Sequence, residues 1–275
     1  MSYEKATWRI IEDNPAKGAW NMAVDEAILE SVYMNNSPPT LRLYAWHPAC
    51  LSLGLAQPSR EVNRQALRAK GWDLVRRPTG GRAILHTDEL TYAVIVPESD
   101  PRVKGGVLES YLRLSKALLK ALENLGLYPQ AEEKNSGEKA EEPNPVCFEV
   151  PSNYEITVNG KKLIGSAQAR RKAGILQHGA IPLQGDISRI ISVLQFRDAA
   201  ARERAKTRLL AHATTLEQVL GTPPSWHQAS AALKQAFQDT LNLSLEPGEL
   251  SVFEESRAGE LVEEKYNHPS WTERT

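Results

Sequence analysis

Two hydrophobic periods alternate along the chain and predict a mixture of helices and strands. Residues 19–33 and 107–125 place apolar side chains three or four positions apart, which is typical of amphipathic helices. Residues 41–46 alternate like a half-buried strand, whereas residues 90–96 are almost continuously apolar, like a strand buried on both faces. The same patterns predict strands at 50–55, 72–76, 154–158, 162–168 and 175–183, a short helix at 61–70, and helices from about residue 187, including 231–241.

Turn residues indicate how these elements connect. Asn159 and Gly160 form a two-residue hairpin signal between two alternating segments, and Gly126 is a suitable end for the long helix. Because hairpins as well as helices join the strands, we predict an α+β fold in which helices flank a mixed, largely antiparallel sheet. We expect residues 1–205 to form the main domain and residues 206–275 to form a small helical C-terminal extension packed on it.

The composition narrows the class of protein. With 275 residues, 41% of them hydrophobic, and a formal net charge of -1, the chain is long enough for one large core and lacks the positive charge that favours nucleic acid. No stretch approaches the roughly 18 apolar residues that a membrane span requires. Two isolated cysteines and six scattered histidines lack the spacings of common zinc sites. We therefore expect a cytoplasmic protein with no metal, no nucleic-acid partner and no membrane partner.

The run VRRPTGGRAILH, at residues 75–86, carries the first candidate chemistry. Its glycines allow the backbone to approach a ligand closely, while its guanidinium groups and free N–H groups suit a phosphate, a carboxylate or a developing oxyanion. The alternative interpretation is a turn between two strands whose arginines are simply solvated. The run alone does not decide between a ligand site and a turn.

Cys147 is the candidate nucleophile. It follows residues 131–145, a charged segment with Pro and Gly that we interpret as a mobile surface loop. A thiolate is the attacking form of cysteine, and Lys162, across the predicted hairpin, could supply the cation that stabilises it. An isolated cysteine is also often a small buried hydrophobe, an interpretation that suits Cys50 within the apolar run ACLSLGL.

Taken together, RRPTGGRAILH, CFE, KLIGSAQARR and LQHGAI resemble the biotin and lipoate protein ligase superfamily, and most closely its cysteine-dependent octanoyltransferases. The resemblance implies that residues 1–205 form the catalytic domain, with a tunnel for the acyl chain. It also implies that Cys147 accepts octanoyl from acyl carrier protein and passes it to a lysine of glycine cleavage H protein or another lipoyl domain. Lys162 matches the family's invariant lysine, and no nucleotide or metal cofactor is required.

The matched motifs contain further residues that the resemblance implies to line the substrate site. These are Arg76, Arg77, Thr79, Gly80, Gly81, Arg82, His86, Gly165, Ser166, Ala167, His178 and Gly179. For His86 and His178 the alternative is a hydrogen-bonded structural role, which is common for a lone histidine in a strand.

Two other classes of function stay open at this point. An ATP-dependent lipoate ligase belongs to the same superfamily, and Arg76 and Arg77 would suit the phosphate of an acyl-adenylate. Such ligases tend to show a third glycine where Arg82 stands, which argues against that reading. The third class is a specialised relative, such as an amidotransferase that shifts octanoyl between carrier proteins, or a subunit that only binds acyl carriers; these relatives carry a hydrophobic residue at the position of Arg82.

Overall fold

The computed structural model describes residues 3–132, 155–171 and 174–274 of the chain, so Cys147 lies outside the described residues. The strands are β1 (Ala6–Glu12), β2 (Thr40–Tyr44), β3 (Cys50–Leu53), β4 (Asp73–Arg76), β5 (Ile84–His86), β6 (Glu89–Pro97), β7 (Gln130–Glu132), β8 (Glu155–Val158), β9 (Lys161–Arg171), β10 (Gly174–Pro182) and β11 (Leu243–Pro247). The helices are α1 (Gly18–Tyr33), α2 (Arg64–Ala69), α3 (Val107–Asn124), α4 (Ala199–His212), α5 (Leu216–Leu220), α6 (Trp226–Leu241), α7 (Val252–Leu261) and α8 (Pro269–Thr272).

The strands form two sheets. The larger has the order β11-β1-β2-β6-β10-β9-β8-β7, and the smaller has the order β4-β3-β5. Strand β1 runs parallel to both of its neighbours, whereas β2, β6, β10, β9, β8 and β7 pair in antiparallel succession. The helices cover both faces of the large sheet, so the prediction of a mixed, largely antiparallel α+β fold is confirmed.

Strand β6 shows why the central apolar run is continuous. Tyr92 and Val94 point into a core that also contains residues of α3 and α6, whereas Ala93 and Ile95 point into a second core shared with α1 and α7. Successive side chains of a strand face opposite sides, so a strand with helices on both sides has no polar face. Among the helices of the described ranges, none has the length and apolarity to cross a membrane.

Helix α1 departs from the amphipathic pattern, because it is buried on almost every side. It lies between the large sheet and α7, and its buried residues include Asn21, Asp25 and Glu26 as well as apolar ones. Buried polar groups require partners, and Asn21 and Asp25 find theirs in Arg42 of β2. Helix α1 therefore places polar side chains in the interior of the molecule, where β2 supplies their hydrogen-bond partner.

The predicted turns and short elements agree with the structure in most places. Asn159 and Gly160 both have positive φ, at 53° and 72°, as a tight hairpin between β8 and β9 requires. The helix predicted at 61–70 is shorter: it begins after the cap residue Asn63 and follows a separate 3₁₀ turn, Ser59–Glu61. Of the loop expected at 131–145, residues 131 and 132 belong to β7, and residues 133–145 lie outside the described part of the chain.

The C-terminal third contains a strand that the sequence pattern did not reveal. Strand β11 pairs in parallel with β1, so this region joins the large sheet rather than only packing helices against it. Helix α4 also runs across residue 205, where we expected the main domain to end. The division into residues 1–205 and 206–275 stays a prediction.

Candidate active site

A cavity of about 340 Å³ lies between the small sheet and the β6-β10-β9 part of the large sheet, at the lower end of the roughly 300–1,000 Å³ typical of small-molecule sites. Most of the predicted site residues line it: Arg77, Gly80, Gly81, Arg82, His86, Lys162, Gly165, Ser166, Ala167, His178 and Gly179. Thr79 contacts the site through a hydrogen bond to His178. The structure thus brings together three motifs, the first of which lies about 80 residues before the other two in the sequence.

Much of the remaining wall is apolar, and sequence reasoning missed it. Met22 of α1, Tyr44, Trp46, Ile84 and Ala180 all face the cavity. Met22, Tyr44 and Trp46 belong to ordinary helix and strand patterns, which predict core packing and do not reveal a ligand wall. Ile84 and Ala180 lie within the matched motifs but were not singled out there. A lining of this kind suits an aliphatic chain, because burying its methylene groups removes apolar surface from water.

Lys162 enters the cavity wall as half of a buried ion pair. Its Nζ lies 3.0 Å from Oε1 of Glu155, and both side chains are only 4% exposed. Glu155 begins β8, Lys162 lies near the start of β9, and a register shift at Ile156 and Thr157 lies between the paired residues. A buried charge needs a partner and fixed geometry, so Glu155 holds the ammonium group in place.

His178 is held by a carboxylate that the sequence did not single out. Its Nδ1 lies 3.1 Å from Oδ2 of Asp25, and its Nε2 lies 2.7 Å from Oγ1 of Thr79. Burial lowers the pKa of His178 more than Asp25 raises it, so the ring is neutral near pH 7. The neutral ring donates from Nδ1 to Asp25 and accepts the Thr79 hydroxyl at Nε2.

Asp25 is itself anchored by donors from β2. Its carboxylate accepts hydrogen bonds from the Arg42 guanidinium at 2.7 Å and the Tyr44 hydroxyl at 3.0 Å. Burial alone would raise the pKa of Asp25, but the hydrogen bond from His178 and the charge of Arg42 outweigh it and hold the pKa below its usual value. The result is an ionised carboxylate that fixes the tautomer and orientation of His178.

His86 makes a second carboxylate–histidine–hydroxyl chain on the opposite wall. Nδ1 of His86 lies 2.6 Å from Glu89, and Nε2 lies 2.7 Å from Oγ of Ser52. Arg77 donates to the same Ser52 oxygen, so Ser52 connects His86 to this arginine. The ring is stacked on Trp46 with a centroid distance of 4.0 Å.

Arg77 stabilises the glycine turn, residues 78–82, through hydrogen bonds to its main chain. Its guanidinium donates to the carbonyl oxygens of Gly80 and Arg82 at 2.8 and 2.7 Å, and to Ser52. Gly81 has a φ of 92°, which favours glycine. The turn also packs closely against its neighbour, because a Cβ on Gly54 would lie 1.9 Å from the Gly81 carbonyl oxygen.

Arg76 is placed away from the cavity lining, although it was a predicted substrate-site residue. Its side chain donates to carbonyl oxygens of two segments: Gly54, Leu55 and Gln57, and Trp271, Thr272 and Arg274. Trp271 returns a hydrogen bond from its indole to the Arg76 carbonyl. Arg76 therefore joins the C-terminal segment to residues 54–57.

The structure describes one of the two cysteines. Cys50 is fully buried on β3, and burial raises the pKa of its thiol well above the ordinary value, which confirms its interpretation as a buried hydrophobe. Cys147 lies outside the described residues, so its role as nucleophile stays a prediction. Within the described ranges, no group of three or more His, Cys, Asp or Glu residues is arranged to hold a metal ion.

Comparison with known proteins agrees with this fold. Residues 17–238 match the family model of the lipoyl protein ligase A/B catalytic domain. The chain belongs to this family, and it is an enzyme of the acyltransferase class.

The relatives include octanoyltransferases from two bacteria. Octanoyltransferase LipM of Kyrpidia tusciae is 42% identical over 98% of this chain and 99% of its own length. Octanoyltransferase LipM of Bacillus subtilis is 39% identical over 98% of both chains.

The solved structures with a similar fold include two lipoate ligases. A bi-partite lipoate protein ligase from Thermoplasma acidophilum, described with its E2 lipoyl domain, superposes with a TM-score of 0.79 at 25% identity, over 98% of this chain and 97% of that one. A lipoate-protein ligase A bound with ATP superposes with a TM-score of 0.78, also at 25% identity, over 98% and 99%.

Proposed function

We propose that this enzyme moves an octanoyl group from acyl carrier protein to a lysine of a lipoyl carrier domain, such as that of glycine cleavage H protein, through a thioester on Cys147. The observation that carries the proposal is the similarity, over almost the whole chain, to relatives named octanoyltransferase. An apolar cavity with one buried lysine in its wall supports it.

In the first half-reaction, the thiolate of Cys147 attacks the carbonyl carbon of the octanoyl thioester. The bond to the carrier's sulfur breaks, and the carrier thiol leaves after taking up a proton. Negative charge develops on the carbonyl oxygen, and the Lys162 ammonium supplies positive charge at the cavity wall. The apolar residues around Met22 and Trp46 hold the hydrocarbon chain out of water.

In the second half-reaction, the amine of the acceptor lysine attacks the Cys147 thioester and forms an amide. A free lysine has a pKa near about 10.4, so the amine must lose a proton before or during attack. His178 is suited to receive that proton by way of Thr79, because its neutral ring accepts the Thr79 hydroxyl at Nε2 and Asp25 at Nδ1 would stabilise the imidazolium that forms.

The structural similarity to a ligase bound with ATP makes an ATP-dependent ligase the second candidate. The geometry gives it less support, because the guanidinium of Arg76 is occupied by main-chain carbonyls and that of Arg77 by the glycine turn. Adding lipoate and ATP to the enzyme separates the candidates: release of pyrophosphate and formation of lipoyl carrier would favour the ligase.

The proposed function is tested by comparing two cysteine variants with the same donor and acceptor. Cys147→Ala should abolish transfer from octanoyl acyl carrier protein, whereas Cys50→Ala should retain it. Equal activity of both variants would contradict a thiol-dependent transfer through Cys147. Octanoyl H protein, offered as an alternative donor, identifies an amidotransferase if it acylates the enzyme faster than octanoyl acyl carrier protein does.

A further inference from the structure

Helix α4 carries a concentration of positive charge that the whole chain does not share. Its sequence, AAARERAKTRLLAH, contains Arg202, Arg204, Lys206 and Arg208 against the single acid Glu203. All of these basic residues are exposed, although the chain as a whole has a formal net charge of -1. Charge gathered on one element of a nearly neutral protein creates a local field that attracts an acidic partner.

The helix packs on the core through a narrow apolar stripe. Ala205 and Leu209 are buried against the 3₁₀ segment Ile187–Val193 and the small sheet. Leu210 is 37% exposed and lies beside the basic residues. The outward surface of α4 therefore combines cations with one accessible apolar side chain, a combination found at protein interfaces.

The C-terminal end of α4 lies directly beside the catalytic lysine. Lys162 forms an isolated parallel β-bridge with Ala213, and its carbonyl accepts a hydrogen bond from the Thr214 N–H at 3.0 Å. Nζ of the neighbouring Lys161 donates to the Leu210 carbonyl at 2.8 Å. A protein docked on α4 would therefore sit next to the cavity wall that holds Lys162.

The chemistry of the helix favours a protein over other polyanions. Single-stranded nucleic acids are bound through aromatic side chains on which bases stack, and the sequence of α4 contains no Phe, Tyr or Trp. A membrane-surface helix needs a broad apolar face, whereas the apolar stripe of α4 is already buried in the core.

We infer that the outer surface of α4, comprising Arg202, Arg204, Lys206, Arg208 and Leu210, is the docking surface for an acidic face of the carrier protein that delivers the acyl thioester. The inference rests on the proposed function for the identity of that donor. Docking of this kind acts mainly through electrostatic steering and partner selection. The docking surface therefore sets the affinity for the carrier, whereas the acyl transfer itself takes place in the cavity.

The test is a matched pair of charge-reversal variants. Arg202→Glu/Arg204→Glu changes the docking surface, and Lys5→Glu/Lys116→Glu makes the same change in charge elsewhere on the exposed surface. The affinity of each protein for octanoyl acyl carrier protein is measured by calorimetry, and acylation is measured with that carrier and with octanoyl N-acetylcysteamine as a small donor. Circular dichroism establishes that both variants are folded.

We expect the α4 variant to bind the carrier about tenfold more weakly, with a matching rise in KM. Its acylation by the small donor and the behaviour of the control should equal those of the wild type. The inference would be overturned if the α4 variant bound the carrier as tightly as the wild type, or if the control variant lost as much affinity for the carrier. It would also be overturned if the α4 variant bound only the acceptor domain more weakly. If the wild-type enzyme bound the carrier without becoming acylated, the proposed function would be contradicted. The comparison of carrier binding between the two variants would still decide whether α4 is the docking surface.

Discussion

The Lys162–Glu155 pair allows the structural and chemical roles of one lysine to be separated. Lys162→Met keeps the length of the side chain and removes its charge, so the Glu155 carboxylate, 4% exposed, loses the ammonium group that lies 3.0 Å from it. Breaking a buried pair by removing one partner costs about 3–5 kcal/mol. In a chain of this size, that loss lowers the melting temperature by roughly 10 °C.

The double variant Glu155→Gln/Lys162→Met removes the buried carboxylate charge as well as the lysine. We expect it to regain most of the lost stability, because two neutral side chains of similar size replace a buried pair. We also expect it to stay inactive in octanoyl transfer, because the cation at the cavity wall is still missing. Thermal unfolding followed by circular dichroism measures stability, and the transfer rate is measured on the same samples below the transition.

Two results would refute this reasoning. If the single and double variants melted at the same temperature, the carboxylate of Glu155 would not depend on Lys162 for its burial. If the folded double variant transferred octanoyl at the wild-type rate, Lys162 would act only through stability. Glu155→Gln alone completes the cycle and gives the interaction energy between the two side chains.

Three further predictions concern other parts of the site. Because burial lowers the pKa of His178 below the ordinary histidine value of about 6.5, the unfolded chain binds a proton that the folded chain does not as the pH falls below about 6.5. Urea unfolding should show stability falling between about pH 7.5 and 5.5, and falling less in His178→Gln. Gly179→Ala should reduce transfer at least about tenfold, because its Cβ would lie 2.7 Å from the Gly165 carbonyl oxygen, whereas Gly259→Ala in α7 meets nothing within 4 Å and should keep wild-type kinetics. Arg76→Gln should lower stability by about 3 kcal/mol or more, because it removes charge-assisted hydrogen bonds, and limited proteolysis should then cleave the C-terminal segment near Trp271 faster than in the wild type.

The elements that form by local pattern were predictable from the sequence. The 107–125 period produced α3, the apolar run at 90–96 produced β6, and Asn159-Gly160 produced the hairpin. Strand β11 was missed, because a segment of five residues becomes a strand only by pairing with β1, more than 200 residues away in the chain. Local patterning carries no information about such a pairing.

The candidate site was predictable where motifs carried it. The glycine turn, Lys162 and the two histidines were found, but their partners Asp25 and Glu155 were not. Asp25 looked like an ordinary polar position of a helix and lies 153 residues from His178 in the sequence. Arg76 and Arg77 show the opposite problem, because adjacent identical side chains point into different surroundings.

The most direct test of the account is the mass of the enzyme after incubation with octanoyl acyl carrier protein alone. We expect the addition of one octanoyl group, sensitive to hydroxylamine, and peptide mapping should locate it on the peptide that contains Cys147. An enzyme that transfers octanoyl to the acceptor without ever carrying the group, or that carries it on another residue, would contradict a thioester on Cys147.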